Sequence, residues 1–403
     1  MKSYEIPSAG IGPLQGLKVV LSGVSTAGPV AAGLLSDFGA NVIHIESQKT
    51  PDTARGPGTY QQDHRNQRAI ALDIPSEEGR QIFFRLIKDV DILIESSKGG
   101  QWSRWGITDE VMWEINPALV IVHVSGFGQS GDPGYVRKAA WDGIGNAFGC
   151  VLFQNGSAEM PFNIRPYACD GNTAIYASCC ALAGLVRARK TGKGESYDIA
   201  QFETQIRLLA EDAYRYFQTG KAPERRGEKT YYPGIKAAGD GVFRCRDGYY
   251  YMGIKGNEEV MAKALGFFGF TYGSEGFAER SYVADGTEQA SALDQAIKAF
   301  CADKTMAEID AEILSLGIPC SPAFNHTQAE ACDYYRERNL FVTWPSLNGG
   351  SCTSINCVPK FKNDPSAIWR GAPDWGGDTR DIMEELGYSD EEIQSYYDRQ
   401  LIR

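Results

Sequence analysis

The chain has 403 residues, of which 43% are hydrophobic and 23% charged, and this composition is typical of a soluble globular protein with a sizeable core. A formal net charge of −11 argues against non-specific nucleic-acid binding, which depends on lysine and arginine neutralising phosphates. The sequence has no apolar run of membrane-spanning length, and MKSYEIPSAGIG at its start lacks the hydrophobic segment of a secretory signal, so we expect a cytoplasmic protein without membrane contacts.

The cysteines and histidines indicate which metal sites and catalytic groups to expect. The ten cysteines include no C-x-x-C pair, which predicts reduced structural thiols and no metal site. The chain has four histidines and 51 acidic residues, so carboxylates are the more available groups for catalysis.

Strand and helix patterns alternate through the first part of the chain. Apolar, β-branched runs predict strands over residues 17–24, 41–46, 90–95 and 119–124, and amphipathic patterns predict helices over residues 31–38, 77–88 and 110–115. Because strands joined by helices pair in parallel with right-handed crossovers, this order indicates an open, doubly wound α/β sheet.

Alternating strands and helices at the start of a chain often form a dinucleotide-binding site. Gly23, Gly28 and Gly33 are spaced too widely for the G-x-G-x-x-G fingerprint, although Glu46 falls at about the distance of a ribose contact. The chain also lacks a G-K-[ST] phosphate loop. These glycines are therefore interpreted as packing residues between strand and helix.

The stretch from Tyr167 to Glu203 places one carboxylate, Asp170, where a helix of small residues begins. The helix is predicted to run to Lys190, Gly192 ends it, and residues 195–200 follow as a strand. Asp170 then has two interpretations. It could cap the helix by accepting hydrogen bonds from the free N–H groups, or it could act as a nucleophilic carboxylate.

The second half of the chain has a different character. Residues 218–241 are polar and glycine-rich, which predicts a linker. Residues 242–254 predict a hairpin around a D-G turn, and with helices predicted over 258–265, 292–301 and 305–316 they indicate a smaller α+β domain ending near His326. A hairpin within 341–358 and helices over 378–386 and 390–401 are predicted to close the chain.

Several motifs follow one another along the whole chain: AGP at 27–29, DFGANVIHIE at 37–46, RNQRAIALDI at 65–74, SGFGQSG at 125–131, TGKGESYDIA at 191–200, and PKFKNDPSAIWRGAPDWGGDT at 359–379. Together they resemble the class III (formyl-CoA transferase, CaiB–BaiF type) CoA-transferases. The likeness is strongest to the carnitine (crotonobetainyl-CoA) branch, through the segment SKGGQWSRWG at 97–106 and the closing passage. The 2-hydroxyacyl-CoA branch, of the 2-hydroxyisocaproate type, is also similar.

The resemblance implies a fold and an assembly. The expected fold is a large Rossmann-like domain from residues 1–220, a smaller α+β domain from residues 221–326, and a C-terminal segment, residues 327–403, that returns to the large domain. The family forms interlocked homodimers, so a second copy of this chain is the expected partner.

The resemblance also implies a catalytic residue and a reaction. The family's nucleophile falls on Asp170, which would attack an acyl-CoA thioester and pass through a mixed anhydride and an aspartyl-CoA thioester to a free carboxylic acid. CoA is then a substrate and product, and no tightly bound cofactor is expected. The resemblance favours transfer of CoA from crotonobetainyl-CoA or γ-butyrobetainyl-CoA to L-carnitine. The alternatives are a 2-hydroxyacyl-CoA transferase, an acyl-CoA racemase on the same fold, and a non-catalytic CoA-binding subunit.

Three cations are candidates for binding the phosphates of CoA. Lys98 and Arg104 match positions that the family uses around CoA, and Arg68 is a weaker third candidate. Asp142 matches an acidic position of some relatives, with an ordinary salt bridge as the alternative role. One departure concerns the glycine-rich lid of the formyl-CoA transferases, because residues 253–260 read only GIKGNEEV, which favours the carnitine-like branch.

Overall fold

A computed structural model of the chain describes residues 10–56, 59–223, 225 and 237–403. Its strands are β1 (Lys18–Ser22), β2 (Asn41–Glu46), β3 (Gln67–Ala71), β4 (Ile92–Glu95), β5 (Val120–Ser125), β6 (Ser196–Ala200), β7 (Ala237–Ala238), β8 (Asp240–Cys245), β9 (Gly248–Gly253), β10 (Val283–Ala284), β11 (Cys320–Pro322), β12 (Phe341–Pro345) and β13 (Ser351–Ile355).

The helices connect and cover these strands. They are α1 (Ala27–Asp37), α2 (Tyr60–Asp63), α3 (Glu77–Ile87), α4 (Gln101–Arg104), α5 (Asp109–Ile115), α6 (Pro133–Val136), α7 (Asp142–Phe148), α8 (Val151–Gln154), α9 (Ala168–Thr191), α10 (Gln201–Leu208), α11 (Ala210–Thr219), α12 (Glu258–Phe267), α13 (Glu288–Ala302), α14 (Met306–Ile313), α15 (His326–Ala331), α16 (Asp333–Glu337), α17 (Thr379–Glu385) and α18 (Asp390–Asp398). Within the described residues, no helix has a stretch long and apolar enough to cross a lipid bilayer.

The chain divides into two compact units. The first spans Met1–Leu152, Asn163–Leu208 and Asn339–Arg403, and the second spans Phe153–Phe162 and Leu209–Arg338. The sequence predicted breaks after residues 220 and 326, whereas the units change after Leu208 and Arg338. The second unit also takes in the short segment Phe153–Phe162.

A six-stranded parallel sheet forms the centre of the first unit, in the order β3–β2–β1–β4–β5–β6. This is the strand order of the doubly wound α/β fold, as the sequence predicted. Neighbouring residues of β1 face opposite sides of the sheet, because side chains alternate along a strand. Val20 packs with the core under α3, α5 and α17, while Val19 and Leu21 pack with the core under α1 and α9.

The C-terminal segment belongs to this first unit. Leu72, just past β3, forms an antiparallel bridge with Ile402, and the backbone N–H of Asp73 donates to the carbonyl of Leu401 at 2.9 Å. The predicted hairpin within residues 341–358 is present as β12 and β13, which pair antiparallel.

The second unit has its own core. Its sheet order is β11–β9–β8, and β8 and β9 form the predicted hairpin around Arg246 and Asp247. The passage at residues 253–260 ends β9 and begins α12, where Asn257 caps the helix. Of the predicted linker, residues 224 and 226–236 lie outside the described residues.

Candidate active site

Asp170 is the third residue of α9 and is 6% exposed. Its carboxylate does not cap α9, which has no side-chain cap at its N-cap residue Tyr167. Instead it accepts a hydrogen bond from the side-chain amide of Gln201, and the hydroxyl of Thr26 also favours its ionised form. Of the two interpretations left open by the sequence, the capping one is therefore wrong.

The cap comes from another helix. Asp142, the first residue of α7, accepts the backbone N–H groups of Cys169 at 2.8 Å and Asp170 at 3.2 Å on its Oδ1 atom. Its Oδ2 atom accepts from the side-chain amide of Asn146 at 2.9 Å. The described partners of Asp142 are thus amides and not the cation of a salt bridge, and its charge lies at the helix end where anions are favoured.

Two buried carboxylates consequently lie close together, and this changes the acidity of Asp170. Burial and the charge of Asp142 both disfavour its ionised form, whereas the side chains of Gln201 and Thr26 favour it. The net effect raises the pKa of Asp170 to about 7. A carboxylate with such a pKa is partly ionised at neutral pH and is a more basic nucleophile than an exposed one.

The small residues of α9 allow this helix to lie directly on the sheet and on α1. Ala174, Ala177 and Ala181 are fully buried against these elements. A Cβ atom added to Gly184 would lie 2.5 Å from Cγ1 of Val120 on β5, so the backbone approaches the sheet closely there. This packing fixes the first turn of α9, and with it Asp170, over the carboxyl ends of the strands.

Two cavities meet at Asp170. The first, of about 280 Å³, contains Lys98 and Lys138, and we call it the lysine cavity. The second, of about 430 Å³, contains Arg165, and we call it the arginine cavity. Residues that line both are Ser25, Thr26, Trp141 and Asp170.

The lysine cavity lies where the strand order reverses between β1 and β4. Thr26 follows β1 and Lys98 follows β4, and both belong to the loops that leave the carboxyl ends of these strands. In doubly wound sheets this crevice is the usual ligand site, because loops diverge there and helix N-termini point into it. The geometry can therefore bring a ligand to Asp170.

Of the three cations that the sequence singled out, Lys98 shares a cavity with Asp170. Arg104 lies at the end of α4, where its Nη2 atom donates to Oε1 of Gln101 at 3.2 Å, and it lines neither cavity. Arg68 lies on β3, is 3% exposed and donates to Oε1 of Glu385 at 2.7 Å. It too lines neither cavity, so the structure does not bring Arg68 together with Asp170.

The sequence analysis did not single out Thr26, Gln201, Lys138 or Arg165, which complete the surroundings of Asp170. Lys138 follows the short helix α6 and Arg165 precedes α9, and neither stands in a pattern that separates it from a surface cation. Gln201 directly follows β6, and polar residues after a buried parallel strand are the available signal for such a site.

One buried group of side chains has the composition of a metal site. His44, Asp52 and His64 each offer one ligand atom within 4.8 Å of the others. The two imidazole rings are stacked, with centroids 4.4 Å apart and an angle of 23° between their planes. Because histidine binds a metal ion along the lone pair in its ring plane, stacked rings do not converge on one ion. One buried atom of each residue, Nδ1 of His44, Nε2 of His64 and Oδ2 of Asp52, has no hydrogen-bond partner among the described residues.

Comparison with known proteins assigns the family. The family described as CoA-transferase family III matches residues 14–379 of this chain. The chain is 37% identical over 393 residues to the bile acid CoA-transferase BaiK of Clostridium scindens (strain JCM 10418 / VPI 12708), an alignment that covers 96% of this chain and 89% of that protein.

Solved structures agree with this assignment. A CAIB/BAIF family protein from Brucella suis superimposes with a TM-score of 0.78 and 26% identity, covering 93% of this chain and 100% of that one. A hypothetical protein from Mycobacterium tuberculosis shares the fold, with a TM-score of 0.77 and 20% identity, covering 93% of this chain and 100% of that one. The chain therefore belongs to CoA-transferase family III and is a transferase that acts on CoA thioesters and carboxylic acids.

Proposed function

We propose that Asp170 is the nucleophile of this transferase. The observation that carries the proposal is a buried carboxylate, with a pKa raised to about 7, at the junction of two cavities. Asp170 attacks the thioester carbonyl of the donor, which gives an aspartyl–acyl anhydride and CoA thiolate. The thiolate attacks the aspartyl carbonyl and releases the donor acid, leaving an aspartyl-CoA thioester. The acceptor carboxylate then attacks this thioester, and the returning thiolate collapses the second anhydride to the new acyl-CoA and free Asp170.

The lysine cavity is the proposed site of CoA. Lys98 and Lys138 supply exposed positive charge in that cavity, next to Asp170, for the anionic end of a ligand. Arg104 is exposed at the end of the short helix that begins three residues after Lys98, so it can meet a more distant phosphate of an extended molecule. Arg68 has no part in this proposal, because its guanidinium group is buried against Glu385.

The arginine cavity is the proposed site of the acid. Arg165 is exposed there, and an arginine binds a carboxylate in a bidentate manner. Trp141 and Tyr167, which are 59% and 54% exposed, present aromatic surface beside Asp170. Such faces attract a quaternary ammonium group, which supports a carnitine-type acid.

The first pair to assay is therefore crotonobetainyl-CoA or γ-butyrobetainyl-CoA with L-carnitine. The same aromatic surface also suits a branched 2-hydroxy acid. The likeness to a bile acid CoA-transferase supports a bulkier apolar acid as a third substrate to assay. The cytoplasmic location expected from the sequence stays a prediction.

Intact-protein mass spectrometry tests both the nucleophile and the acid. The protein is incubated separately with crotonobetainyl-CoA, 2-isocaprenoyl-CoA and a bile acid CoA thioester, then reduced with borohydride and mapped by peptide. We expect a CoA-dependent adduct, or its reduced alcohol, at Asp170, and none in Asp170→Ala. The donor that labels fastest identifies the acid. Binding of all three thioesters without labelling would contradict the proposal, and solvent deuterium entering the α-position would then favour a racemase.

We also propose that two copies of the chain form the interlocked homodimer expected of the family. Exposed apolar side chains on α9 support this proposal, because a contiguous apolar surface in solvent often marks a contact with another protein. Ile175 and Val186 are 62% and 69% exposed on this helix.

A further inference from the structure

The loop after β1 contacts the proposed nucleophile directly. It carries Ser25 and Thr26, which line both cavities together with Asp170, and the Thr26 hydroxyl favours the ionised form of that carboxyl group. Ser25 has a φ of 73°, in the left-handed region that a serine adopts only at a cost. The surroundings of the loop must therefore stabilise this conformation for Thr26 to keep its contact.

Asp52 contacts the loop from behind. It is 2% exposed, and its Oδ1 atom accepts the backbone N–H of Ser25 at 3.0 Å and that of Ala54 at 2.8 Å. Burial opposes the ionisation of Asp52, but the interactions with His64 and these two N–H groups outweigh it and lower its pKa. An ionised carboxylate thus accepts the N–H of the strained residue.

His44 holds the other side of the loop. Its Nε2 atom lies 2.8 Å from the carbonyl oxygen of Gly23 and must be the donor, because a carbonyl only accepts. The ring is fully buried, and burial, followed by the charge of His64, lowers the pKa of His44 to about 4. At neutral pH His44 is therefore uncharged, with its proton on the nitrogen that faces Gly23.

His64 contacts both His44 and Asp52. Its ring stacks between His44 and Tyr60, at centroid distances of 4.4 and 4.2 Å. Its Nε2 atom lies 3.6 Å from Oδ2 of Asp52, and its Nδ1 atom is 3.1 Å from the side-chain oxygen of Gln67. His64 is thus held on four sides and restricts the positions of both His44 and Asp52.

We propose that His44, Asp52 and His64 form a positioning cluster that fixes the loop from Gly23 to Thr26, so that Thr26 keeps its place beside Asp170 in the wall of both cavities. The proposal rests on the proposed role of Asp170. None of these three side chains lines either cavity, so the cluster acts on Asp170 through the loop. This role explains why a buried polar cluster with few hydrogen-bond partners is present behind the site.

The test compares Asp52→Ala with Asp52→Asn. Alanine removes the acceptor of the Ser25 N–H, whereas asparagine keeps an oxygen in its place. We expect Asp52→Ala to lower kcat about tenfold, because Thr26 moves and a polar interaction with the ionised Asp170 is weakened. The KM for acyl-CoA should change less than about twofold, because the lysines stay in place. The acidic limb of the pH–rate profile should move to higher pH, since the interaction with Thr26 favours the ionised form of Asp170. Asp52→Asn should recover most of kcat and the original limb.

A double-mutant cycle checks that Asp52 acts through Thr26. Adding Asp52→Ala to Thr26→Val should lower kcat no further, because both changes remove the same contact. Asp378→Ala is the matched control: Asp378 is 1% exposed and accepts the backbone N–H of Ala69 at 2.9 Å, so its loss should lower the melting temperature without moving the acidic limb. If Asp52→Ala does not fold, His44→Leu, which removes the donor to Gly23, replaces it with the same expectation.

Two outcomes would overturn the positioning cluster. One is a wild-type kcat and acidic limb in folded Asp52→Ala. The other is a double mutant with Thr26→Val whose fold-loss in kcat equals the product of the two single losses. Failure of the proposed function looks different, because Asp170→Ala would then retain transfer. An inactive Asp170→Ala together with a wild-type-like Asp52→Ala would leave Asp170 as nucleophile and reject the cluster alone.

Discussion

At the scale of single residues, the acidity of Asp170 should set the pH dependence of the reaction. Its pKa is raised to about 7, chiefly by burial and by the charge of Asp142. Since only the carboxylate form attacks a thioester, kcat/KM should reach half its maximum near pH 7 and fall about tenfold for each pH unit below that. The measurement is kcat/KM between pH 5.5 and 8.5, and a flat profile below pH 7 would contradict the assignment.

Asp142 provides an independent test of the cause of that shift. Asp142→Asn keeps an oxygen that can accept the N–H groups of Cys169 and Asp170, but it removes the negative charge. The pKa of Asp170 should therefore fall, and the acidic limb should move to lower pH by roughly one unit. Thr26→Val is the control of opposite sign, because it removes a hydroxyl that favours the charged form of Asp170. An unchanged limb in Asp142→Asn would show that burial alone raises the pKa.

At the scale of elements, the close approach of α9 to β5 predicts unequal effects of one substitution at two positions. Gly184→Ala places a Cβ atom 2.5 Å from Cγ1 of Val120 and 2.9 Å from Cε2 of Tyr197, so we expect it to lower the free energy of unfolding by about 1–3 kcal/mol. Gly171→Ala is the matched control on the same helix, where an added Cβ meets no atom within 4 Å.

The control should stabilise the protein by about 0.5–1 kcal/mol, because alanine loses less backbone entropy than glycine in a helix. Denaturant unfolding of the two variants and the parent chain, monitored by circular dichroism, measures both changes. Equal effects of the two substitutions would show that α9 does not pack on β5 as described.

The elements also show which parts of the fold a sequence can predict. The strands β1, β2, β4, β5 and β6 are apolar runs or clear alternations, and each overlaps its predicted range. Strand β3 was not predicted, because its residues Gln67 and Arg68 are polar. Both are nevertheless buried, Gln67 against His64 and Arg68 against Glu385 on α17. These partners lie outside the strand, so no local pattern reveals that it is internal to the fold.

At the scale of the whole molecule, the candidate site shows the same limit more strongly. Asp170 was found through the family's motif, but its environment comes from three other parts of the chain: Thr26 after β1, Asp142 on α7 and Gln201 on α10. Sequence spacing does not bring these segments together; the strand order of the sheet and the packing of α7 and α10 on α9 do. The pKa of Asp170 depends on all three neighbours, and it is therefore a property of the folded unit.

The proposed homodimer gives a prediction at this same scale. On α9, Ile175, Cys179, Leu182 and Val186 follow one another at intervals of four, three and four residues and form an apolar stripe along one face. Val186 is 69% exposed, so a partner surface would remove much of its side chain from water. Val186→Asp should then weaken association, because burying an unpaired carboxylate is costly.

Sedimentation equilibrium at micromolar concentration distinguishes a single chain of 44.2 kDa from twice that mass. We expect the parent chain at the larger mass and Val186→Asp shifted towards the smaller one. Leu314→Asp is the control, because Leu314 is 72% exposed on a short 3-10 helix of the second unit and the same substitution there adds a charge to open solvent. A parent chain at 44.2 kDa would reject the dimer, and equal dissociation by both variants would reject the stripe as its interface.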